Sequence, residues 1–348
     1  MGKIIRVIVV DDSALVRKVL SEGLNKDPEI EVIATANDPF QARDLIKKLD
    51  PDILTLDVEM PRMDGVELLR RMMPVRPMPV IMVSSLTERG AQITMDALDA
   101  GAIDFVTKPT TGIRSGLEDM IDDLIRKIKV GSRVRVSRPK IRKVIDKDNN
   151  TKGLKSLSTT TDKVIAIGAS TGGTEAIKEV ITKFSADTPG VVIVQHMPAG
   201  FTKLFSQRLN GICNMDVKEA EDGDRIMRGR ILIAPGGFQM KVIRVGGTYR
   251  VKIEKGEPVC GHMPSVEVLF KSVADHVGKN SVGAILTGMG KDGAGGMLSM
   301  KEVGAYTIAQ DKASSVVYGM PMEALKIGGV TKISPLNNIA EEIVKNLK

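Results

Sequence analysis

The sequence has little cysteine, histidine or aromatic side chain. Its 348 residues include two cysteines, three histidines, seven phenylalanines, three tyrosines and no tryptophan. Two distant cysteines are too few for a disulfide framework or a zinc site, and three histidines exclude a histidine-rich metal centre. We expect Cys213 and Cys260 to be small core residues. With so few aromatics to stack on bases, nucleic-acid binding by the folded domains is not expected.

Long apolar runs are also absent. No stretch reaches the 18 or so apolar residues that a membrane-spanning helix needs. The N-terminal segment MGKIIRVIVVDDS has a basic residue near its start, Lys3, but its apolar run ends at once in two aspartates. A signal peptide would need a longer apolar core followed by a small-residue cleavage site. We therefore expect a cytoplasmic protein that is not inserted in a membrane.

The excess of positive charge is confined to one segment. The formal net charge is +7, and residues 131–162 alone hold nine Lys/Arg against three Asp/Glu. This segment is rich in Ser, Thr, Lys and Asn and has no sustained helical or strand period, which is typical of a linker. The sequence thus predicts a domain at 1–130, a linker at 131–162 and a domain at 163–348. The linker is either a solvated tether or a basic surface that docks on a partner.

Both domains alternate short apolar runs with amphipathic segments, which predicts two α/β, doubly wound parallel sheets. The strands predicted in the first domain are Arg6–Val10, Ile30–Ala34, Ile53–Leu56, Pro79–Val83 and Phe105–Thr107. Those predicted in the second are Val164–Ile167, Val191–Gln195, Ile231–Ala234, Tyr249–Ile253, Gly283–Thr287 and Tyr306–Ala309. Ligand sites in such sheets lie beyond the carboxyl ends of the strands.

Polar residues follow the strands of the first domain at that edge. Asp11 and Asp12 come after the first strand, Asp57 ends the third, Ser84 the fourth and Lys108 the fifth. Three clustered carboxylates repel one another unless a cation neutralises them, and hard oxygen ligands at an open site suit Mg²⁺. A carboxylate beside Mg²⁺, a lysine and a hydroxyl is equipped to accept a phosphoryl group. Alternatively, Asp11 and Asp12 have a structural role and cap the helix that follows them.

These residues resemble a response-regulator receiver domain, which extends to about Ile128. The resemblance implies that Asp57 is phosphorylated and that Ser84 and Lys108 contact the phosphoryl group. It also places Phe105 at the family's aromatic switch. The implied Mg²⁺ ligands are Asp11, Asp12, Asp57 and the carbonyl of Glu59. The family often has Thr where this chain has Ser84, and the hydroxyl is kept.

The second domain has three candidate catalytic residues at strand ends. Ser170 lies in GASTGG, a G-x-S-x-G pattern that places serine at a sharp turn before a helix. His196 ends the next strand, where its imidazole can act as general base. Asp292, in GMGKDG, is placed to orient that imidazole. Alternatively, the glycine-rich loop holds a phosphate and the aspartate caps a helix. The order Ser, His, Asp differs from that of α/β-hydrolases.

Five stretches, IGASTGGTEAI, QHMPAGFT, APGG, PSVEVLF and LTGMGKDGAGG, resemble the catalytic domain of chemotaxis protein-glutamate methylesterases. The resemblance implies Ser170 as nucleophile, His196 as general base and acid, and Asp292 as orienting acid. Thr171 and the Met289 backbone N–H would hold the oxyanion.

The implied substrates are glutamyl methyl esters on cytoplasmic helices of methyl-accepting chemoreceptors, which release methanol on hydrolysis. The same chemistry would deamidate specific receptor glutamines. A chemotaxis histidine kinase would be the phosphodonor, and ester hydrolysis would need no cofactor. The resemblance also implies that the receiver restricts access to Ser170 until it is phosphorylated. Of the other histidines, His262 is a candidate for lining the substrate cleft, and His276 is expected to be structural.

Two other classes of function remain as alternatives. A receiver-regulated transcription factor fits the first domain and the basic linker, but not the α/β pattern of the second domain. A nucleotide-binding oxidoreductase could use GASTGG as its phosphate loop. However, the dinucleotide pattern requires G-x-G-x-x-G and an acidic residue at the end of the second strand, where this chain has Gln195 and His196.

Overall fold

The chain divides into two compact units, residues 1–145 and 146–348. The computed structural model describes residues 3–60, 64–109, 115–134, 136 and 163–347. Most of the predicted linker, 131–162, lies outside the described residues, so its boundaries stay a prediction. Within the described ranges, no helix is both long and apolar enough to cross a membrane.

The first unit is a five-stranded parallel sheet with helices between the strands. The strands run in the order β2-β1-β3-β4-β5. Their bounds are β1 Ile5–Val10, β2 Ile30–Ala36, β3 Ile53–Asp57, β4 Val80–Ser84 and β5 Asp104–Thr107. The helices are α1 Ala14–Leu24, α2 Pro39–Leu49, α3 Gly65–Met72, α4 Glu88–Asp99 and α5 Ser115–Gly131. All five predicted strands and the parallel fold are confirmed.

The local sequence explains where these elements begin. Ser13 and Thr87 each accept a hydrogen bond from a backbone N–H in the first turn of the helix that follows them, α1 and α4 respectively. The central strands β3 and β4 are buried along their whole length, as expected for strands covered on both faces. Because every strand points the same way, all five carboxyl ends meet at one edge of the sheet.

The second unit contains a seven-stranded parallel sheet in the order β14-β13-β12-β6-β7-β9-β8. Its strands are β6 Val164–Ala169, β7 Gly190–Gln195, β8 Asp216–Glu219, β9 Arg230–Ile233, β12 Ser281–Ile285, β13 Tyr306–Gln310 and β14 Lys332–Ser334. Its helices are α6 Gly173–Ile181, α7 Phe201–Asn210, α8 Val266–His276, α9 Ala294–Glu302, α10 Met320–Lys326 and α11 Leu336–Lys345.

One predicted strand of this sheet lies elsewhere. The run Tyr249–Ile253 belongs to β11, Thr248–Glu254, which pairs antiparallel with β10, Gln239–Val245, in a separate hairpin. Only Gly246 and Gly247, both with positive φ, separate the two strands. Such a turn is far too short for the crossover connection that a parallel pair requires.

Close packing of α8 against the sheet shapes the edge where the functional residues lie. A Cβ on Gly168, near the end of β6, would come within 2.2 Å of Val266 Cγ1 at the start of α8. Gly293 has φ of 85°, and a Cβ there would lie 2.4 Å from the same atom. Glycine at both positions therefore lets the N-terminus of α8 sit between the loops that follow β6 and β12.

The cysteines do not lie where the sequence predicted. Cys260 is exposed and Cys213 is only partly buried, so the expectation that both are core residues is wrong. Cys260 occupies a tight turn between β11 and α8 with φ of 52°, and a turn of this kind lies at the surface.

Candidate phosphorylation site and active site

The carboxyl edge of the first sheet brings Asp11, Asp57 and Lys108 together. Lys108 Nζ lies 2.8 Å from Asp11 Oδ2 and 3.0 Å from Asp57 Oδ2. Both carboxylates are buried, whereas Asp12 is exposed beside them. The carboxylates of Asp11, Asp12 and Asp57 can offer ligand oxygens that all lie within 4.8 Å of one another. Neither aspartate of the DD pair caps α1, which Ser13 does.

The charge balance of this acidic cluster favours a cation. Burial and the negative charge of Asp11 raise the pKa of Asp57 to about 6, although the Lys108 ammonium acts in the opposite direction. A single ammonium cannot neutralise three carboxylates, and the oxygen ligands are of the kind that Mg²⁺ prefers. The residues present therefore fit a divalent cation at this edge of the first unit.

Ser84 and Phe105 lie near the cluster but contact other groups. Ser84 Oγ accepts a hydrogen bond of 2.6 Å from Thr94 Oγ1 on α4. The Phe105 ring is 6% exposed, and Lys127 Nζ lies 5.6 Å from its centroid. The ring is therefore buried in this structure, and the role of Phe105 as an aromatic switch stays a prediction. Glu59 accepts a 3.4 Å hydrogen bond from Ser85 through its side chain, and the metal-binding role of its carbonyl stays a prediction.

In the second unit, Ser170 follows β6 directly and its backbone is held on two sides. Its N–H donates to the carbonyl of Thr287, at 3.0 Å, and its carbonyl accepts from Gln195 Nε2, at 2.9 Å. A Cβ on Gly288 would approach Ser170 Cβ to 2.8 Å. The loops after β6 and β12 thus meet closely at the serine, and Gly288 is needed for that approach.

His196, after β7, is oriented by Asp292, in the loop between β12 and α9. His196 Nε2 lies 2.8 Å from Asp292 Oδ2, and the two side chains are 7% and 1% exposed. The other ring nitrogen, Nδ1, is buried and has no hydrogen-bond partner in the part of the chain that the structure describes. Since Asp292 occupies Nε2, Nδ1 is the nitrogen that remains to take a proton from a serine.

Asp292 is held by three further donors. Its Oδ1 accepts from Ser265 Oγ at 2.7 Å and from the Glu267 N–H at 3.0 Å, and its Oδ2 accepts from the Val266 N–H at 2.7 Å. Burial alone would raise the pKa of Asp292, but the bonds from His196, Ser265 and Val266 outweigh it and hold the pKa below its ordinary value. Asp292 is therefore an anion that orients His196.

The alternative role of Asp292 as a helix cap is partly right. Its carboxylate satisfies backbone N–H groups at the start of α8, which precedes it in the chain, while Gly293 occupies the N-cap position of the following α9. The sequence indicated only the helix that follows the aspartate. Ser265 and Gln195 were not predicted either. The serine before a helix in PSVEVLF was the available signal for Ser265, and nothing in the sequence pointed to Gln195.

The predicted oxyanion donors lie in the same loops. Within the described ranges the Met289 N–H donates no hydrogen bond, and its neighbour Gly288 is fixed through its carbonyl, which accepts from the N–H groups of Gly319 and Met320. Thr171 is buried, and its carbonyl accepts from Thr287 Oγ1 at 3.0 Å. This arrangement is compatible with the predicted oxyanion role, which stays a prediction.

The two remaining histidines differ in position. The ring of His262 stacks on His196, with 3.7 Å between ring centroids and 16° between planes. It therefore lies at the candidate active site, as the sequence suggested. His276 ends α8 and is exposed, and its expected structural role stays a prediction.

Comparison with known proteins accounts for both units. Residues 165–343 match the model of the CheB methylesterase family, and residues 7–118 match that of the response regulator receiver domain. The chain is 60% identical over 345 residues to a protein-glutamate methylesterase/protein-glutamine glutaminase of Syntrophotalea carbinolica, covering 99% of this chain and 98% of the relative. It is 55% identical over 349 residues to the protein of the same name from Sulfurimonas denitrificans, covering 99% and 98%.

A solved structure is also similar. The crystal structure of the Thermotoga maritima CheB methylesterase catalytic domain matches with a TM-score of 0.52 and 34% identity, covering 53% of this chain and 98% of that domain. These matches span the receiver unit and the whole second unit. They leave no place for the transcription-factor and oxidoreductase alternatives.

Proposed function

The chain belongs to the CheB family of protein-glutamate methylesterase/protein-glutamine glutaminases with a receiver domain, and from this premise we propose that Ser170, His196 and Asp292 perform its hydrolytic reaction. The enzyme acts in chemotactic adaptation. The observation that supports this assignment most directly is the buried pair of His196 and Asp292, in which His196 Nε2 lies 2.8 Å from Asp292 Oδ2. The other ring nitrogen, Nδ1, has no hydrogen-bond partner among the described residues. The pair lies at the edge of the sheet where Ser170 follows β6.

In the proposed reaction, Ser170 Oγ attacks the carbonyl carbon of a glutamyl methyl ester while His196 Nδ1 accepts the hydroxyl proton. Asp292 stabilises the imidazolium that forms. The Met289 N–H, with Thr171, stabilises the negative charge on the tetrahedral intermediate. His196 then returns the proton to the departing methoxy group, so methanol leaves. Water hydrolyses the acyl-enzyme by the same route in reverse.

The same site is suited to glutamine. Attack of Ser170 on a glutamine side chain gives the same acyl-enzyme, and ammonia leaves in place of methanol. We propose methylated glutamates and specific glutamines on the cytoplasmic helices of chemoreceptors as the substrates. Outside residues 131–162 the net charge is close to zero, so we propose that the enzyme has no nucleic-acid partner.

In the receiver unit, Asp57 is the proposed phosphoryl acceptor and a chemotaxis histidine kinase the proposed donor. Asp11, Asp12 and Asp57, with the Glu59 carbonyl, would hold Mg²⁺, which neutralises charge on the transferred group when bound. Lys108, already within 3.0 Å of Asp57, would pair with a phosphoryl oxygen. Ser84 would contact the phosphoryl group by leaving its hydrogen bond with Thr94.

The proposal is tested with Ser170→Ala and a matched serine in the same unit. Ser299→Ala removes only a hydroxyl that bonds within α9. We expect Ser170→Ala to abolish methanol release from methylated receptor membranes and to leave Asp57 phosphorylation intact, because the two residues belong to separate units. Ser299→Ala should retain both. Full methylesterase activity in Ser170→Ala would refute the assignment.

A further inference from the structure

A tight turn presents His262 to the proposed active site. Val259 and His262 exchange two backbone hydrogen bonds, each of 3.0 Å, around Cys260 and Gly261. Both central residues have positive φ, 52° and 82°, as in a type I′ turn. The carbonyl of His262 also accepts from Gln239 Nε2 at 3.3 Å, and Gln239 Oε1 accepts from the Ser265 N–H at 2.9 Å. The backbone that carries the imidazole is thus fixed.

The same turn covers the Asp292–His196 pair from one side. The His262 ring lies 3.7 Å from the His196 ring and is nearly parallel to it. Cys260, in the same turn, lies near Asp292: burial and then the negative charge of Asp292 raise the pKa of the Cys260 thiol. Two side chains of one turn therefore face the two members of the acid–base pair.

The stack supplies a restraint that Asp292 does not. One hydrogen bond at Nε2 fixes one atom of the His196 ring, and the torsion that rotates an imidazole is broad rather than confined to sharp wells. Since Nδ1 has no partner among the described residues, no hydrogen bond on that side stops the ring from tilting. The flat ring of His262, at van der Waals distance, does stop the His196 ring from tilting, because a tilt would bring the two rings into steric overlap.

We propose that His262 is a positioning residue of the esterase, whose stacked ring holds the His196 imidazole in the plane that directs Nδ1 at Ser170. This inference rests on the proposed function. His262 needs only a flat aromatic surface for this role, which also attracts the positive charge that His196 acquires during the reaction. It exchanges no proton with the substrate.

The experiment compares a flat with a branched replacement in the full-length protein. His262→Phe keeps an aromatic face, whereas His262→Leu keeps apolar bulk without one, and His276→Leu is the matched control on the exposed end of α8. A serine-reactive fluorophosphonate counts competent sites by labelling Ser170, so kcat is expressed per labelled enzyme. Phosphorylation of Asp57 monitors the integrity of the receiver unit.

We expect His262→Leu to lower kcat about 10- to 100-fold, the scale of a misplaced catalytic group, and to slow labelling of Ser170 by a similar factor. KM should change less than about threefold, since positioning acts on the reaction step. His262→Phe should recover kcat to within about fivefold of the wild type, and His276→Leu should match the wild type.

Three results would overturn the inference: an unchanged kcat in His262→Leu, an equal loss in the Phe and Leu variants, or a loss confined to KM. The second would mean that a ring nitrogen is required, and the third that His262 contacts substrate. Failure of the proposed function is a separate result, in which wild-type protein is not labelled at Ser170 or Ser170→Ala remains active.

Discussion

Replacing Asp292 by asparagine removes one charge at the point where the proposed active site and the start of α8 share a carboxylate. Four donors converge on that carboxylate: Ser265 Oγ and the Glu267 N–H on Oδ1, and His196 Nε2 and the Val266 N–H on Oδ2. An asparagine side chain offers one oxygen and one NH₂ group. Whichever position the NH₂ takes, a buried backbone N–H then faces a donor and loses its acceptor.

The two possible amide orientations harm catalysis differently. With NH₂ in place of Oδ2, His196 must accept at Nε2, so its proton moves to Nδ1 and the base is lost. With NH₂ in place of Oδ1, the ring keeps its tautomer but loses the charge that stabilises imidazolium. We expect kcat to fall by about 10³–10⁴, the upper value being the cost of the equivalent Asp→Asn change in an unrelated Ser-His-Asp triad.

Stability should fall as well. One buried backbone donor left unsatisfied costs about 1–3 kcal/mol, and loss of the charged acceptor weakens the remaining bonds. Ser265→Ala is the graded control. It removes one donor to the carboxylate and the hydroxyl that caps α8 at the Val268 N–H, and it leaves the carboxylate and its bond to His196 intact. We expect it to cost about 1–2 kcal/mol and to reduce kcat less than about tenfold.

Two assays follow the effects of Asp292→Asn separately. Methanol release from methylated receptor membranes gives kcat, and hydrogen exchange at the Val266 and Glu267 amides reports the start of α8. The native pKa of Asp292 lies below its ordinary value of 3.8. The stability that the ionised carboxylate contributes to the fold is therefore present above pH 3.8 and is lost as the pH falls through the native pKa. A kcat within about tenfold of the wild type, with unchanged exchange, would refute the reasoning.

Three further predictions concern the receiver unit and the linker. The native pKa of Asp57, about 6, exceeds the ordinary value of 3.8, so the metal-free receiver should lose stability as the pH rises from about 4 to about 6. Hydrogen exchange of the β3 amides measures this loss, and Asp57→Asn should abolish its pH dependence. If the receiver inhibits the esterase, residues 150–348 alone should release methanol faster than the full chain without phosphodonor, within the roughly 5- to 150-fold range of typical coupling; a folded fragment that is no faster would exclude inhibition. If the linker is only a tether, turnover of a soluble methyl-ester peptide should not change when five basic residues are neutralised together: Arg133, Arg135, Arg138, Arg142 and Lys143. A salt-dependent loss of turnover on receptor membranes alone would indicate that the linker docks on a partner.

Periodicity and strand-end position were enough to predict most of the architecture. Parallel strands must end at one edge, so the sequence alone assigns Asp57 and Lys108 to one edge and Ser170 and His196 to another. The hairpin of β10 and β11 could not be predicted in this way. A single apolar run such as Tyr249–Ile253 does not reveal whether its partner is a distant parallel strand or the adjacent segment.

The sequence alone therefore determined which residues are candidates for the chemistry and on which sheet each lies, because residue type and strand position are local properties. Only the tertiary structure decided how those residues are oriented. The bond of Asp292 to His196 Nε2, its capping of the earlier helix α8 and the stack of His262 on His196 join segments far apart in the chain. Such contacts depend on how loops from different strands pack together, and no periodicity in the sequence encodes that packing.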